Sequence, residues 1–389
     1  MAASIELRVL ELYSGIGGMN YSLKESGVKY EIIAAIDINT TANQIYQHNF
    51  PDHNLMAFGI EKLTLKQYEK WNINTILMSP PCQPFTRVGN KNDVNDIRTQ
   101  SFLHILQLIH QCKEKPSYIL VENVKGFEES EARNKLIEML TTNHYHYQEF
   151  LLTPLQFGIS NCRLRYYMIA KLQTVQFLFT PSSKILTSIP NCPEEWLKYL
   201  QCSEETDNPV SNKWDQFESC DQNIHQEDIE TDYICDKCLK LKYFLESKSD
   251  DYFQDYLVEK KDFKWFIVMD IVHPGLKKSM CFTKRYGHYI NGAGPILQMS
   301  HDLTCDLKTK ITTLNSRDFW TEEETKIIEK LKLRYFTPRE IANLLCFPSS
   351  FSFPDNLSRI QLYRCLGNSL NVHVVSILIR LLVLEKYAS

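Results

Sequence analysis

The stretch LRVLELYSGIGGMNYSLKESG, residues 7 to 27, reads as a strand, a glycine turn and a helix in succession. LRVLELYS is branched and apolar over strand length and closes on a small polar residue. GGMNYSLKESG carries apolar residues at helical spacing and ends on a glycine. Between them, Gly15, Gly17 and Gly18 let the backbone turn sharply and leave amides free to meet a ligand, at the carboxyl edge where open α/β sheets bind nucleotides. The turn is not the dinucleotide fingerprint, because Asn20 stands where G-x-G-x-x-G places its third glycine. Taken alone, it reads equally as a structural turn and as a nucleotide-binding one.

The same alternation continues along the chain. YEIIAAID (30–37), NTILMS (74–79) and SYILVENV (117–124) are further apolar runs of strand length, separated by the helix-like TTANQIYQHNF and TQSFLHILQLIHQC. Such alternation predicts an α/β fold, a doubly wound, mostly parallel sheet covered by helices on both faces. HYQEFLLTP (146–154) and RYYMIAKL (165–172) follow with no obvious long helix between them, and are expected to close the sheet as an antiparallel pair. After Pro181 the texture changes. Residues 186–262 mix Pro, Asn, Ser and acidic residues with scattered aromatics, and 203–236 are polar enough to be mobile. Short apolar segments and glycines return over 263–315 (KWFIVMDIV, YGHYINGAG), predicting a small irregular second domain. Helical periodicity resumes in TEEETKIIEKLKL, TPREIANLLC and NSLNVHVVSILIRLLVLEKY.

A chain of 389 residues with 43% hydrophobic content is long enough for two domains and a sizeable core. Its first thirty residues lack the pattern of a secretory signal. Its longest apolar tract, VHVVSILIRLLVL at 372–384, is interrupted by His373 and Arg380 and is too short to span a bilayer, so a soluble protein without a membrane partner is expected. The twelve cysteines are expected to be reduced thiols in an intracellular chain, which permits a reactive one. The net charge of −4 hides an asymmetry: Ser203 to Asp236 holds eleven acidic residues and one lysine, leaving +6 on the remainder. A basic body with one acidic insertion is compatible with a polyanionic partner, although the same balance is ordinary for a soluble protein.

Three groups fall at strand ends on one sheet edge. Asp37, 22 residues after Gly15, is placed for ribose hydroxyls. Cys82, in SPPCQPFT (79–86), sits in a loop stiffened by Pro80, Pro81 and Pro84, with Arg87 near in sequence. That setting suits a nucleophile of lowered pKa, where most cysteines are inert small hydrophobes. Glu122, in ENV, follows an apolar run that would desolvate it and raise its pKa, which suits a proton donor; a helix-capping acid is the alternative.

SGIGG (14–18), SPPCQPFT, ENV (122–124), NCRLR (161–165), TPRE (337–340) and LGNSL (366–370) occur in an order and spacing that resemble the S-adenosylmethionine-dependent cytosine-5 methyltransferases. The resemblance covers nearly the whole chain apart from its middle. CFTKRYGHYINGAG (281–294) resembles a segment typical of the branch that is similar to DNA methyltransferases but acts on transfer RNA. This resemblance implies a Rossmann-like methyltransferase sheet with a small target-recognition domain. It also implies a covalent Cys82 adduct at carbon 6 of cytosine, with Glu122 donating to ring nitrogen 3 and Arg165, with Arg163, beside the ring. The cofactor contacts it implies are Tyr13, Ser14, Gly15, Ile16, Gly17, Gly18, Asp37, Ile38, Ile60, Glu61, Ser79, Asn368 and Ser369. The last of these implies that the C-terminal helix returns beside the first strand. The catalytic domain would then be discontinuous (1–185 and 322–389), with 186–321 as the target-recognition domain carrying the insertion at 203–236.

The family's commoner Gln-x-Arg-x-Arg is replaced here by a run beginning at Asn161, which leaves only that residue's role open. The expected partner is transfer RNA, with the aspartate-accepting species and its anticodon loop as target and weak DNA binding beside it. The expected state is a monomer in the cytoplasm, with the nucleus as a second compartment. Lys91, Arg98, Lys125, Lys284 and Arg285 are candidates for phosphate contacts as a group. A DNA cytosine-5 methyltransferase and a catalytically silent RNA-binding protein of the same fold are the rival readings. A nicotinamide dehydrogenase is disfavoured by the missing glycine. CDKC (235–238), with Cys220 and His225, has zinc-ligand spacing, but no second tight pair is present and no metal is expected.

Overall fold

The computed structural model describes residues 6–81, 97–190, 238–300 and 320–384, without the side chains of Ile97 and Arg98. Strands β1 (Leu7–Leu12), β2 (Tyr30–Ile36), β3 (Leu55–Met56), β4 (Thr75–Met78), β5 (Tyr118–Val124), β6 (Tyr145–Leu152) and β7 (Arg165–Leu172) form one sheet in the order β3-β2-β1-β4-β5-β7-β6. β1 to β5 pair in parallel, and β7 runs antiparallel to both β5 and β6. The antiparallel closure is as expected, with β7 inserted inside β6.

Side chains alternate across this sheet with period two. Val9, Leu77, Leu120 and Ile169 enter a core shared with helices α1 (Gly18–Ser26) and α2 (Thr40–Asn49). Leu10, Ile76, Ile119 and Met168 enter a second core with α3 (Leu65–Lys70), α4 (Ile97–Gln111) and α5 (Glu131–Thr142). Both faces are therefore covered, which is why the strands read as continuous apolar runs. β3 and α5 are among the elements that the sequence reading misses. β3 has only two residues and carries no pattern. α5 does carry one: Ser130 caps it by accepting from Arg133 N at 3.1 Å, and Ala132, Leu136, Met139 and Leu140 lie at helical spacing on its buried side.

The smaller unit is built on β8 (Ile271–Val272), β9 (Ile296–Gln298) and β10 (Leu333–Arg334), after a short helix α6 (Asp250–Phe253). Its core joins Phe263, Phe266 and Met269 to Ile328 of α7 (Glu322–Lys330) and to Leu333. By packing, Ile328, Leu331 and Leu333 tie residues 322–334 to this core. The acidic stretch 203–236 lies outside the described residues. Past β10, α8 (Pro338–Leu344), α9 (Arg359–Gly367) and α10 (Val372–Val383) return to the large core.

Helix α10 is buried almost all round, as a core helix must be when apolar on every face. The two polar residues that interrupt its tract meet the end of α1: His373 Nδ1 lies 2.6 Å from Glu25 Oε1, and Arg380 donates to Glu25 O (2.6 Å) and Ser26 O (3.0 Å). The C-terminal helix therefore packs on α1, the helix that follows β1, and against β5 and β7, and it shares a core with Leu7 and Val9 of β1. The end of α1 thus offers a carboxylate to His373 and two backbone carbonyls to Arg380.

The joint between the two units is a buried ion pair. Arg334 of β10 donates to both oxygens of Glu340 in α8, each at 2.7 Å, with both side chains at most 1% exposed. Glu340 also accepts from the amides of Thr337 (2.9 Å) and Glu246 (3.1 Å), and the Arg334 guanidinium lies 4.2 Å from the centre of the Phe253 ring. Removing one member leaves the other charge buried and unpaired. Glu340→Ala is expected to destabilise the protein by about 3–5 kcal/mol in denaturant unfolding; a loss below about 1 kcal/mol, the range of an exposed pair, would show that the joint carries no such charge constraint.

Candidate active site

The turn after β1 is wound through left-handed backbone at Tyr13 (φ 55°), Gly15 (φ 54°) and Gly17 (φ 88°). Tyr13 bears this strain at the mouth of the turn, while a Cβ on Gly17 would also stand 2.6 Å from the Phe50 ring. Asp37 closes the turn from β2: its Oδ2 accepts from Gly15 N (2.8 Å) and its Oδ1 from Asn39 N (2.7 Å). Burial pushes the Asp37 carboxyl above the usual range and these amides pull it part of the way back. A carboxylate has about four lone-pair positions, so two amide bonds leave acceptors for hydroxyl groups.

Other predicted contacts gather around this turn. Ile38 presents an apolar side chain that is 70% exposed. Ile60, buried, and Glu61, exposed, share a single 3-10 turn after β3. Tyr13 and Ser101 hydroxyls meet at 2.9 Å. Ile16 is buried in the core. Ser369 and Leu370 close over Gly18, where an added Cβ would lie 3.4 Å from Ser369 Oγ and 3.0 Å from Leu370 Cγ, and Asn368 is exposed at the end of α9. Ser14 is buried with its hydroxyl meeting no partner among the described residues. An orphan hydroxyl, a carboxylate with spare acceptors and an exposed apolar residue fit the polar and flat parts of a nucleoside cofactor.

Along the same edge, Glu122 stands near the end of β5, opposite Tyr167, and β7 begins at Arg165, whose Nε is 3.7 Å from Glu122 Oε1. Burial raises the Glu122 pKa; Arg165, Arg163 and the hydrogen bond with Ser79 oppose this without cancelling it. The carboxyl accordingly keeps a proton above the usual carboxylate range. Arg163, also buried, donates to Phe282 O (3.1 Å), Gly367 O (3.1 Å), Ser369 O and Cys281 Sγ (3.2 Å). Asn161 donates to Ser279 Oγ (3.3 Å) and Met280 O (3.0 Å), so the residue that departs from the family pattern fastens the segment before Cys281.

Glu122, Arg163, Arg165, Ser79 and Ser369 are thus brought together, while Cys82 lies outside the described residues, which stop before it at Pro81. Two participants escaped the sequence reading. Asn123 donates to Pro80 O at 3.3 Å and so fixes the backbone leading to Cys82; its signal was its place inside ENV. Cys281 touches both arginines, and its signal was the Cys-Phe-Thr triplet, which carried no role when read as sequence. Of the basic group, Arg285 is exposed with its guanidinium 5.4 Å from the Tyr289 ring centre, Lys125 and Lys284 are half-buried, and the side chains of Lys91 and Arg98 lie outside the description. Of the zinc-spaced set only Cys238 is described, buried with its thiol donating to Leu155 O at 3.3 Å.

Gly367 explains the glycine of LGNSL. A Cβ there would fall 2.3 Å from the carbonyl carbon of Thr283 and 2.4 Å from Lys284 N, both backbone atoms that cannot swing away. Gly367→Ala is expected to cost about 1–3 kcal/mol of stability and to lower turnover by moving the carbonyls that hold Arg163. Thermal unfolding with single-turnover kinetics checks this; unchanged values in both would contradict the close approach.

Comparison with known proteins agrees with this geometry. The family model described as C-5 cytosine-specific DNA methylase matches residues 7–383. A Homo sapiens protein named tRNA (cytosine(38)-C(5))-methyltransferase is 43% identical over 97% of this chain and 99% of its own. A Dictyostelium discoideum protein named DNA (cytosine-5)-methyltransferase is 38% identical over 97% of this chain and 94% of its own. The crystal structure of a Spodoptera frugiperda DNMT2 mutant superposes with a TM-score of 0.76 at 39% identity, covering 97% of this chain and 99% of that one.

Proposed function

We propose that this chain, which belongs to the C-5 cytosine-specific methylase family, methylates carbon 5 of cytosine in transfer RNA, in the anticodon loop of the aspartate-accepting species. The observation that carries this reading is the 43% identity, end to end, with a relative named for that activity on transfer RNA. The segment 281–294, typical of that branch, supports it by standing in the site, with Cys281 and Phe282 against Arg163. Cytosine in a loop also costs less to extrude than cytosine in a duplex.

S-adenosylmethionine, held by Asp37, the 13–18 turn, Ile38, Ile60, Glu61 and Ser369, supplies a methyl group made electrophilic by its sulfonium centre. The chain's own residues prepare the base to take it. Carbon 5 of cytosine is a poor nucleophile until the ring becomes electron-rich. The Cys82 thiolate forms a bond to carbon 6 while Glu122 gives its proton to ring nitrogen 3, which leaves an enamine at carbon 5. Arg165, beside Glu122, offsets the negative charge that passes into the ring and its oxygen. After methylation, loss of the carbon 5 proton, expulsion of the Cys82 thiolate and return of the ring nitrogen 3 proton to the Glu122 carboxylate restore the aromatic ring and the free enzyme. Asn123 and the prolines set the backbone from which Cys82 approaches.

The test offers tritiated cofactor with total small RNA and with DNA in parallel. Label is expected in the RNA, and Cys82→Ala is expected to lower it at least about a thousandfold. Label entering only DNA would replace this reading with the activity named for the Dictyostelium relative. Unchanged methylation by the alanine variant would remove the covalent step.

A further inference from the structure

We infer that Cys281 acts as a thiolate, the second anion that holds Arg163 and Arg165 in position beside Glu122. The argument starts from charge. Two guanidiniums lie side by side in a buried site, and the carboxylate facing them is that of Glu122. Among the described residues Arg163 makes no hydrogen bond to a carboxylate: its partners there are the carbonyls of Phe282, Gly367 and Ser369, and the sulfur of Cys281. Arg165 donates to Leu164 O at 2.8 Å, pairs with Glu122 at 3.7 Å and reaches the same sulfur at 3.6 Å. Cys281 Sγ is therefore the one ionisable atom among the described residues that both guanidiniums touch.

The proposed chemistry sharpens the need. To donate to the base, Glu122 must first carry a proton, and in that state it offers no negative charge to the arginines. Two buried cations would then face no ionised carboxylate among the described residues, and an unpaired buried charge is costly. A neutral thiol is a poor remedy, because S–H sulfur is a weak acceptor; its alternative is to donate to Phe282 O at 3.4 Å, a carbonyl Arg163 already occupies. A thiolate accepts both N–H groups and keeps one negative charge in the site through the proton transfer. Burial pushes the Cys281 thiol up, and the pull of Arg163 and Arg165 with their hydrogen bonds outweighs it, leaving its pKa below the ordinary thiol value. Among the described residues, the other titratable groups nearby are Tyr167 of β7, Cys162, Lys278, and Asp270, which accepts from Met280 N at 3.3 Å.

Cys281 is a positioning residue in this account, acting on the base through the two arginines. Its test rests on the methyltransferase reading for one arm and is independent of it for the other. In the first arm, the ultraviolet thiolate absorbance of the wild-type protein minus that of Cys281→Ser is titrated without substrate. The difference is expected to titrate below the ordinary free-cysteine value of about 8.5; titration at or above that value overturns the proposal whatever the enzyme's substrate. In the second arm, Cys281→Asn and Cys281→Asp, nearly equal in size but one neutral and the other anionic, are compared. The asparagine variant is expected to lose ~100-fold in kcat with cofactor affinity unchanged, and the aspartate variant to recover at least about tenfold of it by restoring the anion. Equal kcat in the two variants overturns the proposal, since a role in packing alone treats them alike.

Discussion

The site depends on one buried guanidinium. Arg163 lies where three segments remote in sequence converge, and its donors are met by Phe282 O from the small unit and by Gly367 O and Ser369 O from the C-terminal return. Each carbonyl left without its donor would cost about 1–3 kcal/mol in a buried setting. The arginine is thus a strut that fixes the edge of the sheet, the 281–283 segment and the end of α9 with respect to one another. Gly367 and Asn161 serve the same convergence, the first by permitting backbone contact with Thr283 and Lys284, the second by fastening Ser279 and Met280.

From that strut follow both the architecture and the chemistry. A chain that must bring residue 369 over Gly18 cannot be built from consecutive domains, so the large unit is interrupted by the small one and resumed by α8 to α10. The same cation, with Arg165, sets the electrostatics at the end of β5. Burial and two cations act on Glu122 in opposite senses, and burial prevails. A carboxyl so placed holds its proton to higher pH than an ordinary one, which favours its donation to ring nitrogen 3.

Much of this was legible in the residues. The glycine turn, the strand-end acids and the antiparallel closure follow from local pattern, because a strand buried on both faces must be apolar throughout and must stop where polarity begins. What local pattern did not reveal depends on tertiary placement. The two-residue β3 owes its existence to β2 alongside it. His373 and Arg380 look like interruptions of an apolar helix until Glu25 and the end of α1 are set opposite. Residues 322–334 read as the start of the C-terminal helical region, and the packing of Ile328 and Leu333 ties them to the core of the small unit. Cys281 lies 116 positions along the chain from Arg165, and their contact is visible only once that separation is folded away.

The central claim is that the site keeps Glu122 protonated for use as an acid. It is tested most directly by infrared titration of the carboxyl, taken as the difference between the wild-type protein and Glu122→Gln, beside the pH profile of kcat/KM. Because the folded pKa is raised, the protonated-carboxyl band should persist as pH rises past the ordinary value of 4.5, and kcat/KM should fall at higher pH, through the same transition in which the band disappears. A band lost at or below 4.5, with kcat/KM indifferent to the loss, would contradict the account.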